Sequence, residues 1–375
     1  MTMTLDGTNG VTFFDTSLQG AAASPYVLKN RIINGAMVVD QRNAGAATAN
    51  TISGYTLDRW SALQSVTGKV IVQQNAAAVT PPVGFTNYLG VTSQSSYSVL
   101  AGDYYFLFQA IEGFNVADLG WGSANAKTIT LSFWVRSSLT GTFGGTLRNS
   151  AADRSYPFTY TISVANTWEL KSVTIAGDTS GTWLTTNGVG IYVGFGLGVG
   201  STYSGTAGSW AATNYISATG ATSVVGTNGA TFYITGVQLE IGTSATPFER
   251  RLFNQELTNC QRYYIQSYPY GTVAGTNIAG GSGTLQGVNY NQTSFGYTII
   301  GPFSFPVTMR TSATTTIYNS VTGSTSASVC IRNVNAGTNV AGYVLMSSDK
   351  QVYISCDNAP VSIRAECAIT ASAEL

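Results

Sequence analysis

Residues 231 to 264 read TFYITGVQLEIGTSATPFERRLFNQELTNCQRYY. Phe232 and Ile234 share one face of an extended chain, and a bulge at Gly236 shifts the register so that Val237, Leu239 and Ile241 stay on that face. One wall of a β core closes there. Gly242 and Pro247 stop the strand, and Asn254 is placed to cap a helix. Phe253, Leu257, Cys260 and Tyr264 then recur at helical spacing, with Gln255, Asn259 and Arg262 on the polar side. Such a helix is too short to stand alone and must pack on a neighbour. The stretch therefore reads as a joint between two β domains, and its Arg250, Arg251 and Arg262 suggest either an anionic ligand or, as the simpler account, salt bridges to Glu249 and Glu256.

Working outward, period-two alternation dominates. Ile129, Leu131, Phe133 and Val135 alternate with Thr130, Ser132, Trp134 and Arg136, while Phe158, Tyr160, Ile162 and Val164 alternate with Thr159, Thr161 and Ser163. Ile191, Val193, Phe195 and Leu197 repeat the pattern. Many short strands parted by glycine-rich turns mean an all-β sandwich or jelly roll. The run GFGLGVG, Gly194 to Gly200, lacks the Gly-Lys-Ser/Thr ending of a phosphate loop. All six tryptophans lie between Trp60 and Trp210, and this shift in composition marks a separate, smaller sandwich after the helix. That last part opens on a glycine-rich loop. It closes on Val361, Ile363, Ala365, Cys367, Ile369, Ala371 and Ala373, with Arg364 and Glu366 outward. The organisation expected is an N-terminal extended arm (1–28), a jelly-roll β-sandwich (29–250), a linking helix (251–264) and a second β-sandwich (265–375).

Only 9% of the 375 residues are charged, against about 25% in an average soluble protein. The surface must be neutral and polar. Net charge is zero with no basic run, so the electrostatic term behind nucleic-acid binding is missing. The first basic residue is Lys29, and no apolar run approaches a membrane span, so neither a signal peptide nor a transmembrane helix is expected. Cys260, Cys330, Cys356 and Cys367 lie far apart, as buried thiols would. There is no histidine, which excludes Ser-His-Asp and Cys-His nucleophile systems, and the cysteine spacing does not suit zinc. No cofactor or metal is expected. Carboxylates such as Asp153, Glu169 and Asp178 remain as glycosidase candidates or as plain surface charges.

NRIINGAMVVDQRNAG (Asn30 to Gly45), YTLDRW (Tyr55 to Trp60), ITGVQLEIGTSATPFERR and NQELTNCQRYY, in this order, resemble the virion proteins of tailed bacteriophages, chiefly tail fibres and receptor-binding appendages. LSFWVRSS, NTWELKSVTI and FYITGVQLEIG look like the jelly-roll carbohydrate-binding modules. Those modules often carry an acidic calcium ligand in the last strand, where this chain has Thr235 or Gly236. The resemblance implies a non-enzymatic virion protein, a trimer docked through residues 1–28 onto other virion proteins and adhering to a host surface glycan. A purely architectural neck, baseplate or capsid-decorating role and a glycan depolymerase are the alternatives.

Sugars bind by stacking pyranose faces on aromatic rings while amides and hydroxyls meet the sugar hydroxyls. The candidates are Trp183, Tyr203, Trp210 and Tyr215 in the first domain and Tyr268, Tyr270 and Tyr290 around the glycine-rich loop of the second. Trp134 lies on the polar face of its strand. Trp60 and Trp168 read as core.

Overall fold

The computed structural model describes residues 4–6, 10–12, 18–19, 29–48, 53–288, 297–326, 329–333, 336–357 and 364–375. In the arm, β1 (Thr4–Asp6), β2 (Gly10–Thr12) and β3 (Leu18–Gln19) pair as an antiparallel sheet.

The first sandwich uses β4 (Ser53–Leu57), β5 (Trp60–Gln64), β6 (Val70–Gln74), β7 (Leu89–Ser93) and β8 (Tyr104–Glu112). It continues with β9 (Ile129–Ser137), β10 (Gly141–Arg148), β11 (Ser155–Ile162), β12 (Glu169–Ile175) and β13 (Val189–Val199). Two-residue strands β14 (Ser204–Gly205) and β15 (Ser217–Ala218) precede the long β16 (Thr231–Ile241). One sheet has the order β11-β10-β13-β8-β5-β4 and the other β12-β9-β16-β7-β6. Between them Phe133 meets Phe195 and Tyr160 edge-on at 4.9 Å each. Trp60, Phe143, Phe158 and Phe232 complete this core. Each such side chain contributes roughly 1.5–3 kcal/mol by burial. The expected alternation holds in β16, where the register breaks between Thr235 and Gln238 and Phe232, Ile234, Val237 and Leu239 all face the core, but in β11 it stops at Ile162, and Val164 lies past the strand end and is exposed. The glycine run Gly194 to Gly198 lies within β13.

The chain ahead of β4 is part of this sandwich. Arg31 N–H donates to Leu239 O (2.9 Å) and Val237 N–H to Gly35 O (3.0 Å), so residues 31–35 run beside β16 and bury Ile32.

After β16 comes α1 (Phe253–Gln261). It departs from expectation in three ways. Leu252, not Asn254, occupies the cap position, and no side chain caps it. Asn254 Oδ1 accepts instead from Gln255 N–H. The buried face carries Glu256 and Cys260, while Phe253 is exposed and Tyr264 begins the next strand. Glu256 is inside because its carboxylate accepts from the Asn34 backbone N–H and from Arg251 Nη1, partners that compensate burial of the charge.

The second sandwich contains β17 (Tyr264–Gln266), β18 (Leu285–Val288), β19 (Tyr297–Ser304), β20 (Thr314–Asn319) and β21 (Val329–Asn333). It ends with β22 (Ala336–Val340), β23 (Gly342–Ser347), β24 (Gln351–Asp357) and β25 (Arg364–Ser372). β17, β18, β20 and β21 all pair with β25, which is the hub of the larger sheet, and β19-β24-β23 form the smaller one. Cys356 and Cys367 are buried in this core, as expected. Glu366, expected outward, is fully buried. A hub strand is covered on both faces, and the Glu366 carboxylate takes up hydrogen bonds from Ser320 Oγ (3.2 Å) and Gly280 N–H (3.3 Å). Val361 and Ile363 lie outside the described residues.

Arg251 pairs with Glu249 and Glu256 as expected, but Arg262 does not. It reaches back to the first sandwich, donating to both Glu112 oxygens (2.8 and 2.5 Å), and Tyr263 OH donates to the same carboxylate at 2.6 Å. Burial alone would raise the Glu112 carboxyl, but these hydrogen bonds outweigh it and hold it below the usual 4.5. A depressed acid contributes stability that is complete above pH 4.5 and lost as pH falls through its folded value. Asp58, pushed up to about 6 by burial, acts oppositely, because its protonation between about 6 and 3.8 favours the folded state. The Glu112 contribution is therefore read as a difference. Between about pH 5 and pH 3, wild type should lose more stability in a denaturant titration than Glu112→Gln does. Parallel pH profiles for the two proteins would show that this contact carries no linkage.

Candidate functional site

On β9 the inward Phe133 and Val135 flank an outward Trp134, whose cross-strand partners are Leu170 on β12 and Thr235 on β16. The bulge beside it requires glycine. Gly236 has φ +61, and a Cβ there would stand 2.6 Å from Phe85 Cζ and 3.1 Å from Trp134 Cδ1. Its missing side chain is what lets the Phe85 ring lie against the strand.

Beyond β16 the chain folds back along the outer face of the sheet. Glu240 anchors this return, accepting from Thr246 N–H (2.8 Å), Thr246 Oγ1 (2.6 Å) and Gln238 Nε2 (2.8 Å). Glu249 N–H donates to Gln238 Oε1 at 2.7 Å. Phe248 is thereby set edge-on to Phe85, with ring centres 5.2 Å apart. A groove of about 510 Å³ opens between Ser132, Trp134 and Leu170 on the strand side and Phe85, Pro247 and Phe248 on the loop side. Leu170 is 57% exposed. Arg250 stands at the loop side, its guanidinium 4.7 Å over the Phe85 ring.

The indole N–H groups distinguish Trp134 from the other tryptophans. Trp60, Trp121, Trp168, Trp183 and Trp210 donate to the backbone carbonyls of Asn34, Lys127, Thr80, Ser180 and Ala176, at 2.8–3.1 Å. The Trp134 indole alone makes no hydrogen bond among the described residues. A half-buried ring with an unused donor, in a groove whose size suits a small ligand, is equipped to stack and to donate.

The aromatics singled out from the sequence are placed differently. Trp183 and Trp210 join Trp121 in a three-indole cluster, with ring centres 4.8–5.4 Å apart, that closes one end of the first sandwich. Trp183 is only 9% exposed. Tyr203 packs edge-on against Tyr104 at 5.5 Å, on the outer face of the six-stranded sheet. Tyr215 lies over Gly205. Tyr268 is buried and accepts from Gly275 N–H. Tyr270 is half exposed, but its hydroxyl donates to Val38 O (3.1 Å) across the joint. Tyr290 lies outside the described residues. No common surface gathers the described ones.

Trp60 is core as expected, and Trp168 packs on Tyr88 at 5.5 Å. The three acids are held in local contacts. Asp178 pairs twice with Arg154 (2.7 Å each), Glu169 pairs with Lys171, and Asp153 accepts from Asn149 Nδ2. Arg250 has no carboxylate partner among the described residues, contrary to the ion pair expected, because Arg251 takes both neighbouring glutamates.

Phe85 and Phe248 were not legible as site residues. The available signal was an aromatic at an outward position of a strand, Trp134 in LSFWVRSS, opposite a glycine bulge.

No protein-family model matches the chain, and no curated protein matches it. Among solved structures, the chain is similar to the enzymatically active domain of tailspike protein 4 of bacteriophage CBA120, at 15% identity and TM-score 0.33, covering 60% of this chain and 22% of that one. It is also similar to a family 11 carbohydrate-binding module from Clostridium thermocellum in complex with a mixed-linked tetrasaccharide, at 11% identity and TM-score 0.27. That match covers 53% of this chain and 99% of the module. A family 4 carbohydrate-binding module matches at 14% identity and TM-score 0.27, covering 56% and 98% of the two chains.

Proposed function

We propose that this chain is a structural protein of a tailed-phage virion that adheres to host surface glycans through the groove over Trp134. The observation that carries the reading is the indole of Trp134, the one tryptophan whose N–H is left for a ligand, set in an open groove with Phe85, Phe248 and Leu170. Its ring offers a face for a pyranose, and Ser132 and the indole N–H offer polar contacts. The order of phage-type segments along the sequence supplies the virion context. The chain acts by binding, without catalysis. Several copies, as in a trimer docked through residues 1–28, raise weak contacts to useful avidity.

Trp134→Ala is the test. Removing the platform should weaken binding to host cells or their purified surface polysaccharide by about tenfold to a hundredfold, while thermal melting changes little, since the ring faces outward. Unchanged binding would remove the groove from the account. Release of reducing ends from that polysaccharide by wild type would instead make the chain a depolymerase.

A purely architectural role is the second reading, and β23 favours it. Among the described residues this strand lies at one edge of its sheet and exposes Val344, Leu345 and Met346, each at 40–62%. Exposed apolar edges invite pairing with another chain. Glycan binding by the assembled protein separates the readings: an oligomer that binds no host surface polysaccharide is architectural, and one whose binding depends on Trp134 is adhesive.

A further inference from the structure

The groove carries a charge that the fold does not neutralise. Of the residues lining it, Arg250 is the only one that is charged. The acids near it in sequence are spent elsewhere. Glu249 pairs with Arg251 (3.1 Å) and accepts from Asn30 N–H (2.8 Å), and Glu240 is 3% exposed with both oxygens bonded to Thr246.

Arg250 is also seated. Its guanidinium lies 4.7 Å over Phe85 and 5.8 Å from the centre of Phe248. Gly84, at φ +86, makes room for it, because a Cβ there would come within 2.8 Å of Nη2. Contact with ring faces holds a guanidinium without using its N–H donors, and Arg250 donates no hydrogen bond among the described residues. A planar fork of donors beside an aromatic platform matches a carboxylate attached to a sugar ring.

We propose that the groove selects acidic glycans: the sugar ring stacks at Trp134 and its carboxylate, as in a uronic or sialic acid, is held by Arg250. This rests on the glycan-binding reading above and adds the chemical class of the ligand. Oligogalacturonates and their methyl esters, and sialylated oligosaccharides and their desialylated forms, are matched probes that differ in the charge. Binding of each pair is measured for wild type, Arg250→Ala and Trp134→Ala. The acid form should bind about tenfold tighter than its neutral partner at low salt. That preference should shrink toward 1 M salt, where the screening length falls to about 3 Å. Arg250→Ala should erase the preference, bringing the acid form down to the affinity of its neutral partner, and Trp134→Ala should weaken both forms. Equal binding of acid and neutral forms, both lost in Trp134→Ala, overturns the acid selection and leaves the glycan reading standing. A preference that survives Arg250→Ala also overturns it. No Trp134-dependent binding to either form overturns both.

Discussion

Glu374→Ala should cost about 3–5 kcal/mol and release the second sandwich from the first. Glu374 lies beside the C-terminus, yet it is 8% exposed and its two oxygens take Arg42 and Arg59 from the first sandwich. Arg59 is 1% exposed, lies 3.6 Å over the Tyr263 ring and also donates to Ala110 O. Deleting the carboxylate strands that guanidinium in a dry site. The backbone around Glu374 is fixed as well. Arg310 donates to the carbonyls of Ala373 and Glu374 (2.7 Å each) and of Asn187 (2.9 Å), and Tyr55 OH donates to Leu375 O (2.9 Å). Calorimetry should show one melting transition splitting in two, and small-angle scattering a larger radius. A partial rescue by Arg59→Met in the Glu374→Ala background would assign the loss to the buried charge. An unchanged transition would mean that the tail does not lock the domains.

Gly236→Ala should abolish ligand binding at a modest cost in stability. A non-glycine residue at φ +61 costs about 1–2 kcal/mol. The larger effect is local: the new Cβ, 2.6 Å from Phe85 Cζ, forces that ring off the strand and with it the surface on which Arg250 rests. Loss of binding by at least about tenfold is expected. Gly208→Ala is the control, because φ is +89 there and no heavy atom lies within 4 Å of the added Cβ. It should share the backbone cost and keep full binding. Equal binding losses in both variants would show that strain, not the groove, is responsible.

Much of the fold was legible because strands announce themselves by alternation and Gly236 marks its own bulge. Ile129 to Val135 and Ile191 to Leu197 needed no tertiary information. The joint was legible as a place but not as a mechanism. NRIING, YTLDRW and NQELTNCQRYY stand far apart in sequence, yet Asn34 hydrogen-bonds to both Asp58 and Glu256, and Arg59 lies over the Tyr263 ring. Helical spacing put Arg262 on the polar side and strand alternation put Glu366 outward; partners from distant segments, Arg262 and Tyr263 for Glu112 and Ser320 and Gly280 for Glu366, hold both carboxylates inside. The site was harder still. Trp183 and Trp210 sit in polar, glycine-rich segments that look like exposed loops, and only the fold reveals that they pack on Trp121. A groove formed by one strand, a bulge and a returning chain has no sequence period.

Adhesion through the groove requires Trp134 as the ligand platform. The direct measurement follows the six indole N–H resonances of the isotope-labelled protein while host surface polysaccharide is added. The Trp134 signal, fast-exchanging with water in the free protein, should move with ligand concentration and become protected, while the five bonded indoles hold still. Saturable binding that leaves the Trp134 resonance in place would contradict it.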